Sequence, residues 1–301
     1  MAVTPHLAGE PGHAARITSA LGYVRLAKLT TAQVEKFLGG MAKDGLATAT
    51  ISGTLAVLRG AIWRAVKNGQ IGYNVARSEL VSAPDGTRRK ARWFSWEQVE
   101  ALLAAAADDP WWHAYVSVAI FNGLRPGELL GLRWSDVDMD PPARKPKGWK
   151  PTIRTLVSLK AEGLADLKTE RSRRRQVLPA RTVTSLREHR KDQAARRLRL
   201  GAAWQDHYLV FAAADGQPMS RYSAGDGFGA LCERAGLGGG WTRYATRHTF
   251  CTLLSHAGTP VEQIADAMGH SNTHVTQKVY KHALEDQVSG AASVFDRAWQ
   301  A

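Results

Sequence analysis

Residues 122–130 read Asn-Gly-Leu-Arg-Pro-Gly-Glu-Leu-Leu, and the rest of the chain is best read outward from this run. An apolar stretch from Trp111 to Phe121 precedes it at helical length, and Asn122-Gly123 is a pair that stops a helix. Pro126 suits the first turn of a new helix, where a backbone N–H would lack an acceptor anyway. Arg125 then stands at a helix N-terminus, where free N–H groups and the helix dipole favour an anion. A guanidinium fixed there can clamp a phosphate. It can equally pair with Glu128 one turn along, and the sequence leaves both readings open.

Upstream, helices are announced by their caps. Thr30 and Gln33 form a capping box before Val34, Phe37, Leu38 and Met41, with Asp44-Gly45 as the stop. Thr48 starts a second helix, where Ile51, Leu55, Leu58, Ile62 and Val66 recur at helical spacing up to Asn68-Gly69. Residues 82–93 break the periodicity with Pro84, Gly86 and the basic Arg88, Arg89, Lys90 and Arg92, and read as a linker. Ser95 and Gln98 make another capping box, opening a second domain. Residues 152–180 look extended, with a turn at Gly163 and a strand pair around Leu167 to Leu178, and a basic helix follows from about Ser185 to Leu200. The expected fold is mainly α with a small antiparallel β-sheet in the second domain, an α+β arrangement of two domains.

Composition narrows the partner. Lys and Arg number 40 against 27 Asp and Glu, a formal charge of +13. That excess suits a polyanion, nucleic acid first, although an arginine-biased genome would produce the same count. No apolar run approaches the roughly 18 residues of a membrane span, and Met1 to Gly12 lacks a signal-peptide core, so a cytoplasmic place is expected. Cys232 and Cys251 stand apart among apolar neighbours and read as buried thiols rather than as a disulfide or zinc pair. No cofactor or metal is expected, since neither a ligand cluster nor a phosphate-binding Gly-rich loop is visible.

Downstream come three further runs. Tyr244-Ala-Thr-Arg247-His248-Thr-Phe places Tyr244 and Arg247 three apart on a helix, with Arg247 near its start and Phe250, Leu253 and Leu254 as its buried stripe. His248 reads as structural. Thr259-Pro260-Val261-Glu262 combines a proline suited to the first helical position with a capping-box pair, and Gly269 ends that helix beside His270. Tyr280 follows ten residues later, and taken alone it is an ordinary amphipathic tyrosine.

Taken in order, Gly-Leu-Arg-x-Gly-Glu, Leu-Lys-Thr-x-x-x-Arg-Arg, Arg-His-Thr-Phe, Met-Gly-His-Ser and that tyrosine resemble the tyrosine recombinases of the phage integrase family. The resemblance runs from about Ser95 to Tyr280 and continues more weakly upstream. It implies a DNA clamp of three segments: a helical core-binding, SAM-like domain over 1–81, the basic linker 82–93, and a catalytic domain over 94–301. Arg125 and Arg247 match the two catalytic arginines, His270 the histidine of the family's Leu-Gly-His, and Tyr280 the nucleophile. Lys168 matches the lysine that protonates the leaving hydroxyl. The Arg88, Arg89, Lys90 and Arg92 run, with Arg173 and Arg174, supplies candidate DNA contacts.

Two departures stand out. The family's His-x-x-Arg has a histidine where this chain has Tyr244; a phenol titrates near pH 10, so it suits hydrogen bonding to a phosphate rather than proton removal. The stretch Ile17 to Leu29 matches the segment after the family's first core-binding helix, which leaves that helix absent or outside the chain. The implied partners are double-stranded DNA with attachment or crossover sites, further copies of the chain as a homotetramer on synapsed DNA, and an accessory DNA-bending or directionality factor. The implied source is a phage or other mobile element acting at a bacterial nucleoid. A type IB topoisomerase-like enzyme shares the constellation, and a DNA-binding recombination factor with impaired chemistry would suit Tyr244. The tail residues Val288, Ala292, Phe295 and Trp299 either dock on a neighbouring protomer or pack internally.

Overall fold

Two of the three expected capping boxes close reciprocally. Gln33 donates its backbone N–H to the Thr30 hydroxyl at 3.3 Å and accepts the Thr30 N–H at 3.0 Å. Ser95 and Gln98 repeat the same two distances. The structure, a computed structural model, describes residues 12–87, 91–144, 146–167 and 172–269. The chain divides into two compact units between Lys90 and Ala91.

The first unit holds α1 (His13–Leu21), α2 (Thr31–Lys43) and α3 (Thr48–Lys67). Val34, Leu38 and Met41 of α2 pack with Ile51, Leu55, Leu58 and Ile62 of α3, the stripes their spacing predicts. Ile17, where the stretch matched to the family's later core-binding segment begins, lies inside α1, which precedes α2 and packs on α3. The segment read as a linker from 82 stays with this unit as far as Thr87. The Gly86 N–H donates to the Thr48 hydroxyl at 2.9 Å, which in turn donates to the Gly86 carbonyl at 3.2 Å. A Cβ on Gly86 would lie 2.2 Å from the Leu46 carbonyl oxygen, so only glycine lets the chain return this closely.

The second unit is built around α5 (Pro110–Phe121), flanked by α4 (Trp96–Ala105), α7 (Ala180–Leu200), α8 (Arg221–Arg234) and α9 (Tyr244–His256). Residues Ala114 to Ile120 of α5 are all buried, the signature of a helix enclosed on every side. Asp109 caps it, accepting N–H bonds from Trp111 and Trp112. The short α6 (Pro126–Leu130) follows, and α10 (Val261–Met268) packs on α9. Pro260 is the N-cap of α10 rather than its first residue, and no side chain caps it, so the expected Thr259–Glu262 box does not form.

The β residues divide differently from the sequence reading. β1 (Val137–Asp138), β2 (Thr152–Thr155) and β5 (Arg174–Val177) form an antiparallel sheet in the order β1-β2-β5, with Thr152 opposite Val177. β3 (Val157–Lys160) and β4 (Gly163–Asp166) make a separate hairpin, Lys160 opposite Gly163. Among the described residues, the strand at the end of the 167–178 stretch pairs back to β2. Cys232 and Cys251 are both buried thiols, as their apolar settings suggest. Among the described residues no helix is long and apolar enough to cross a membrane.

Candidate active site

The junction of α5 and α6 depends on a bare backbone. Gly123 has φ +60, and a Cβ there would lie 2.3 Å from the Phe250 ring. Phe250 of α9 thus rests on the glycine, and Arg247, one turn earlier on α9, donates to the Gly123 carbonyl. This contact joins the first and third sequence motifs.

Arg125 is the N-cap of α6, as expected, but α6 is only five residues long and offers little dipole. Its side chain pairs with Glu128, Nη1 to Oε1 at 2.7 Å, while its backbone N–H donates to Oε2 at 2.9 Å. The pairing left open by the sequence is therefore present. Yet Arg125 keeps 34 % of its side chain exposed, whereas Glu128 keeps 1 %. Arg174 Nη2 reaches Glu128 Oε2 at 2.8 Å. Burial pushes the Glu128 carboxyl up, but Arg174 and then Arg125 outweigh it and hold the group below the usual carboxylate range.

The same two arginines converge on the end of α10. Arg125 Nη2 donates to the Gly269 carbonyl at 3.3 Å, and Arg247 Nη2 donates to the Met268 carbonyl. Gly269 adopts the left-handed conformation, φ 63 and ψ 43, that ends the helix. A helix end leaves carbonyls without N–H partners, and guanidinium groups suit that negative end. Arg247 is 5 % exposed. It does not share an environment with Tyr244, which is 53 % exposed despite the three-residue spacing.

Beside Arg125 lies a cavity of about 560 Å³ lined by Gly127, Ser158, Lys160, Arg221, Arg243 and Tyr244, among others. Lys160, Arg221 and Arg243 also border an adjoining cavity of about 580 Å³. The sequence does not single out these three cations. Lys160 ends β3 and Arg221 opens α8, positions without a local signature; only the fold brings them beside Arg125.

Lys168, His270 and Tyr280 lie outside the described residues, as do Arg88, Arg89, Lys90 and the tail from Val288 to Trp299. Arg92 rests over the Trp241 ring, 3.7 Å from its centroid, and donates to the Gly239 carbonyl. Arg173 is exposed and borders a cavity shared with Asp136 and Asp166. Arg174, another candidate DNA contact, has a side chain only 7 % exposed and paired with Glu128. His248 is partly buried, and burial followed by Arg247 lowers its pKa, which fits the structural reading. Among the described residues no group of His, Cys, Asp and Glu is placed to hold a metal ion.

Comparison with known proteins gives the family and the fold. Residues 92–287 match the phage integrase family. An integrase of Streptomyces ambofaciens is 35 % identical over 285 residues, 92 % of this chain and 70 % of that protein. A XerC-like tyrosine recombinase of Caldanaerobacter subterraneus subsp. tengcongensis is 24 % identical, covering 91 % of this chain and 72 % of its own length. Among solved structures, the Tn1549 transposon integrase in complex with a circular intermediate DNA superposes with a TM-score of 0.70 at 21 % identity, covering 88 % of this chain and 87 % of that one. A lambda integrase dimer bound to a COC' core site gives 0.62 at 17 %, covering 89 % and 85 %. At these identities the solved structures speak for the fold, a mainly helical one with a small antiparallel sheet.

Proposed function

The chain belongs to the phage integrase family, and on that premise we propose that it is a site-specific DNA recombinase working through a covalent bond to Tyr280. The Tyr280 oxygen, passing its phenol proton to His270, attacks the scissile phosphorus, the bond to the 5′ oxygen breaks, and a 3′-phosphotyrosine and a free 5′-hydroxyl result. Lys168 supplies the proton to that leaving oxygen. Arg125 and Arg247 hold the non-bridging oxygens as charge builds on them, and His270 and Tyr244 add hydrogen bonds. Attack by a 5′-hydroxyl of a partner strand reverses the step, and the phosphotyrosine conserves the bond energy, so resealing needs no ATP.

The observation that carries this reading is the convergence of Arg125 and Arg247 on Gly269 and Met268, directly before His270 in sequence. Both arginines are engaged by carbonyls here, Arg247 more completely. On this reading a phosphate oxygen takes over at least one of those bonds when DNA enters. The basic cavity beside Arg125, with Lys160, Arg221 and Arg243 on its wall, offers the flanking phosphates a path.

The substrate on this reading is duplex DNA carrying attachment or crossover sites of a phage or other mobile element. Synapsis would use a homotetramer and an accessory DNA-bending or directionality factor, acting in the cytoplasm at the nucleoid. Tyr244 favours one other reading, a DNA-binding factor with impaired chemistry. Nicked duplexes rebuilt from the junctions that flank the gene separate the two. A protein–DNA adduct that survives denaturation, and is lost in Tyr280→Phe, is expected; binding without an adduct would overturn the recombinase reading.

A further inference from the structure

Glu128 sets an electrostatic problem. A buried carboxylate paired with Arg125 alone makes a neutral unit, and a neutral unit has little to offer a phosphate. The structure adds a second guanidinium. Arg174, at the start of β5, places Nη2 at 2.8 Å from Glu128 Oε2 with only 7 % of its side chain exposed. Both carboxylate oxygens are then engaged, Oε1 by Arg125 Nη1 and Oε2 by Arg174 and the Arg125 N–H.

The three side chains carry a net charge of +1, one negative against two positive. The two most buried members, Glu128 and Arg174, cancel each other. What remains is Arg125, 34 % exposed on the wall of the cavity. We propose that Arg174 is a positioning residue that neutralises Glu128, so that Arg125 keeps its full positive charge for a DNA phosphate. Arg174 itself is too buried to meet DNA, so its influence passes through Glu128. The identity of the phosphate rests on the recombinase reading; the charge relation does not.

Charge compensation tests this. Affinity of the full chain for a short fluorescent duplex of arbitrary sequence is measured by anisotropy across a salt series, with folding followed by circular dichroism. Each DNA phosphate that the protein no longer neutralises lowers the slope of log affinity against log salt by about 0.9. Arg174→Gln is expected to lower the slope by about that amount, as Arg125→Gln does. Arg174→Lys, which keeps the charge, retains the slope of the unaltered chain. The double variant Glu128→Gln/Arg174→Gln, which removes both members of the cancelling pair, regains it. A folded Arg174→Gln with an unchanged slope would overturn the proposal, and so would a folded double variant as weak as the single. Where Arg174→Gln alone does not fold, a folded double variant whose slope falls below that of the unaltered chain overturns the proposal. Absence of a covalent adduct with the unaltered chain would remove the recombinase reading and leave this comparison intact.

Discussion

Arg125 and Arg247, carried by different helices, donate to neighbouring carbonyls at the end of α10, Gly269 and Met268. Arg247 also holds the Gly123 carbonyl, so one guanidinium spans the end of α5 and the end of α10. Lysine offers a single ammonium and cannot bridge both in a fixed plane. Arg247→Lys should therefore loosen the site as well as weaken it. A cost of about 1–3 kcal/mol in urea unfolding is expected, from a buried hydrogen-bonded group losing a partner. Cleavage of attachment-site DNA should fall by about a hundredfold or more, as for removal of a charge-stabilising donor.

Removing Glu128 exposes a different cost. Glu128→Ala leaves Arg174 buried without its counter-charge, which costs about 3–5 kcal/mol in comparable buried pairs. Glu128→Gln, which keeps the shape and some hydrogen bonds, should cost clearly less. Equal destabilisation by the two would contradict this and show that the lost charge, not shape or hydrogen bonding, sets the cost.

Gly127 and Gly131 give α6 a flat face against the β3–β4 hairpin. A Cβ on Gly127 would lie 2.7 Å from the Ser158 hydroxyl and 2.8 Å from the Leu159 carbonyl oxygen, and one on Gly131 3.0 Å from the Ser158 Cα. Part of that obstacle is backbone, which cannot swing aside. Gly127→Ala should destabilise the protein by about 1–3 kcal/mol, as overpacking generally does, and should displace Lys160 from the cavity wall. A neutral effect on the urea midpoint would contradict the close approach.

Much of the helical frame is legible because caps are local. Thr30 with Gln33, and Ser95 with Gln98, need only neighbours three residues away, and the Arg125–Glu128 pair is equally short in range. Long-range partnerships are not legible in this way. Nothing near Arg174 in sequence announces Glu128, so a buried brace reads like one more arginine in a basic run. Lys160, Arg221 and Arg243 come from three separate segments and meet only in the fold. The Thr259–Glu262 box fails because Pro260 itself takes the cap position with ψ 140, moving the helix start to Val261. Tyr280, Lys168 and His270 rest on the sequence motifs, since their side chains lie outside the described residues.

Acid should unfold the protein in two stages. His189 of α7 is buried, with Nε2 at 2.6 Å from the Val210 carbonyl oxygen and its ring stacked on Phe211. Burial lowers its pKa below the usual 6.5, against an opposing pull from the Val210 carbonyl. His248 shifts the same way through burial and Arg247. The unfolded chain binds these protons first, so the stability is complete above pH 6.5 and declines as pH falls toward the folded values. Glu128, also depressed in the fold, keeps its contribution above 4.5 and loses it as pH falls through its lower folded pKa. Urea midpoints across pH should show both stages, and His189→Gln should flatten the first. A profile level through the histidine range would contradict the assignment.

The recombinase reading stands on one covalent bond, and peptide mapping of the adduct tests it most directly. After reaction with nicked attachment-site DNA and digestion with nuclease and trypsin, the account predicts a nucleotide phosphate on the peptide containing Val279-Tyr280-Lys281. An adduct on any other residue, or one that persists in Tyr280→Phe, would contradict it.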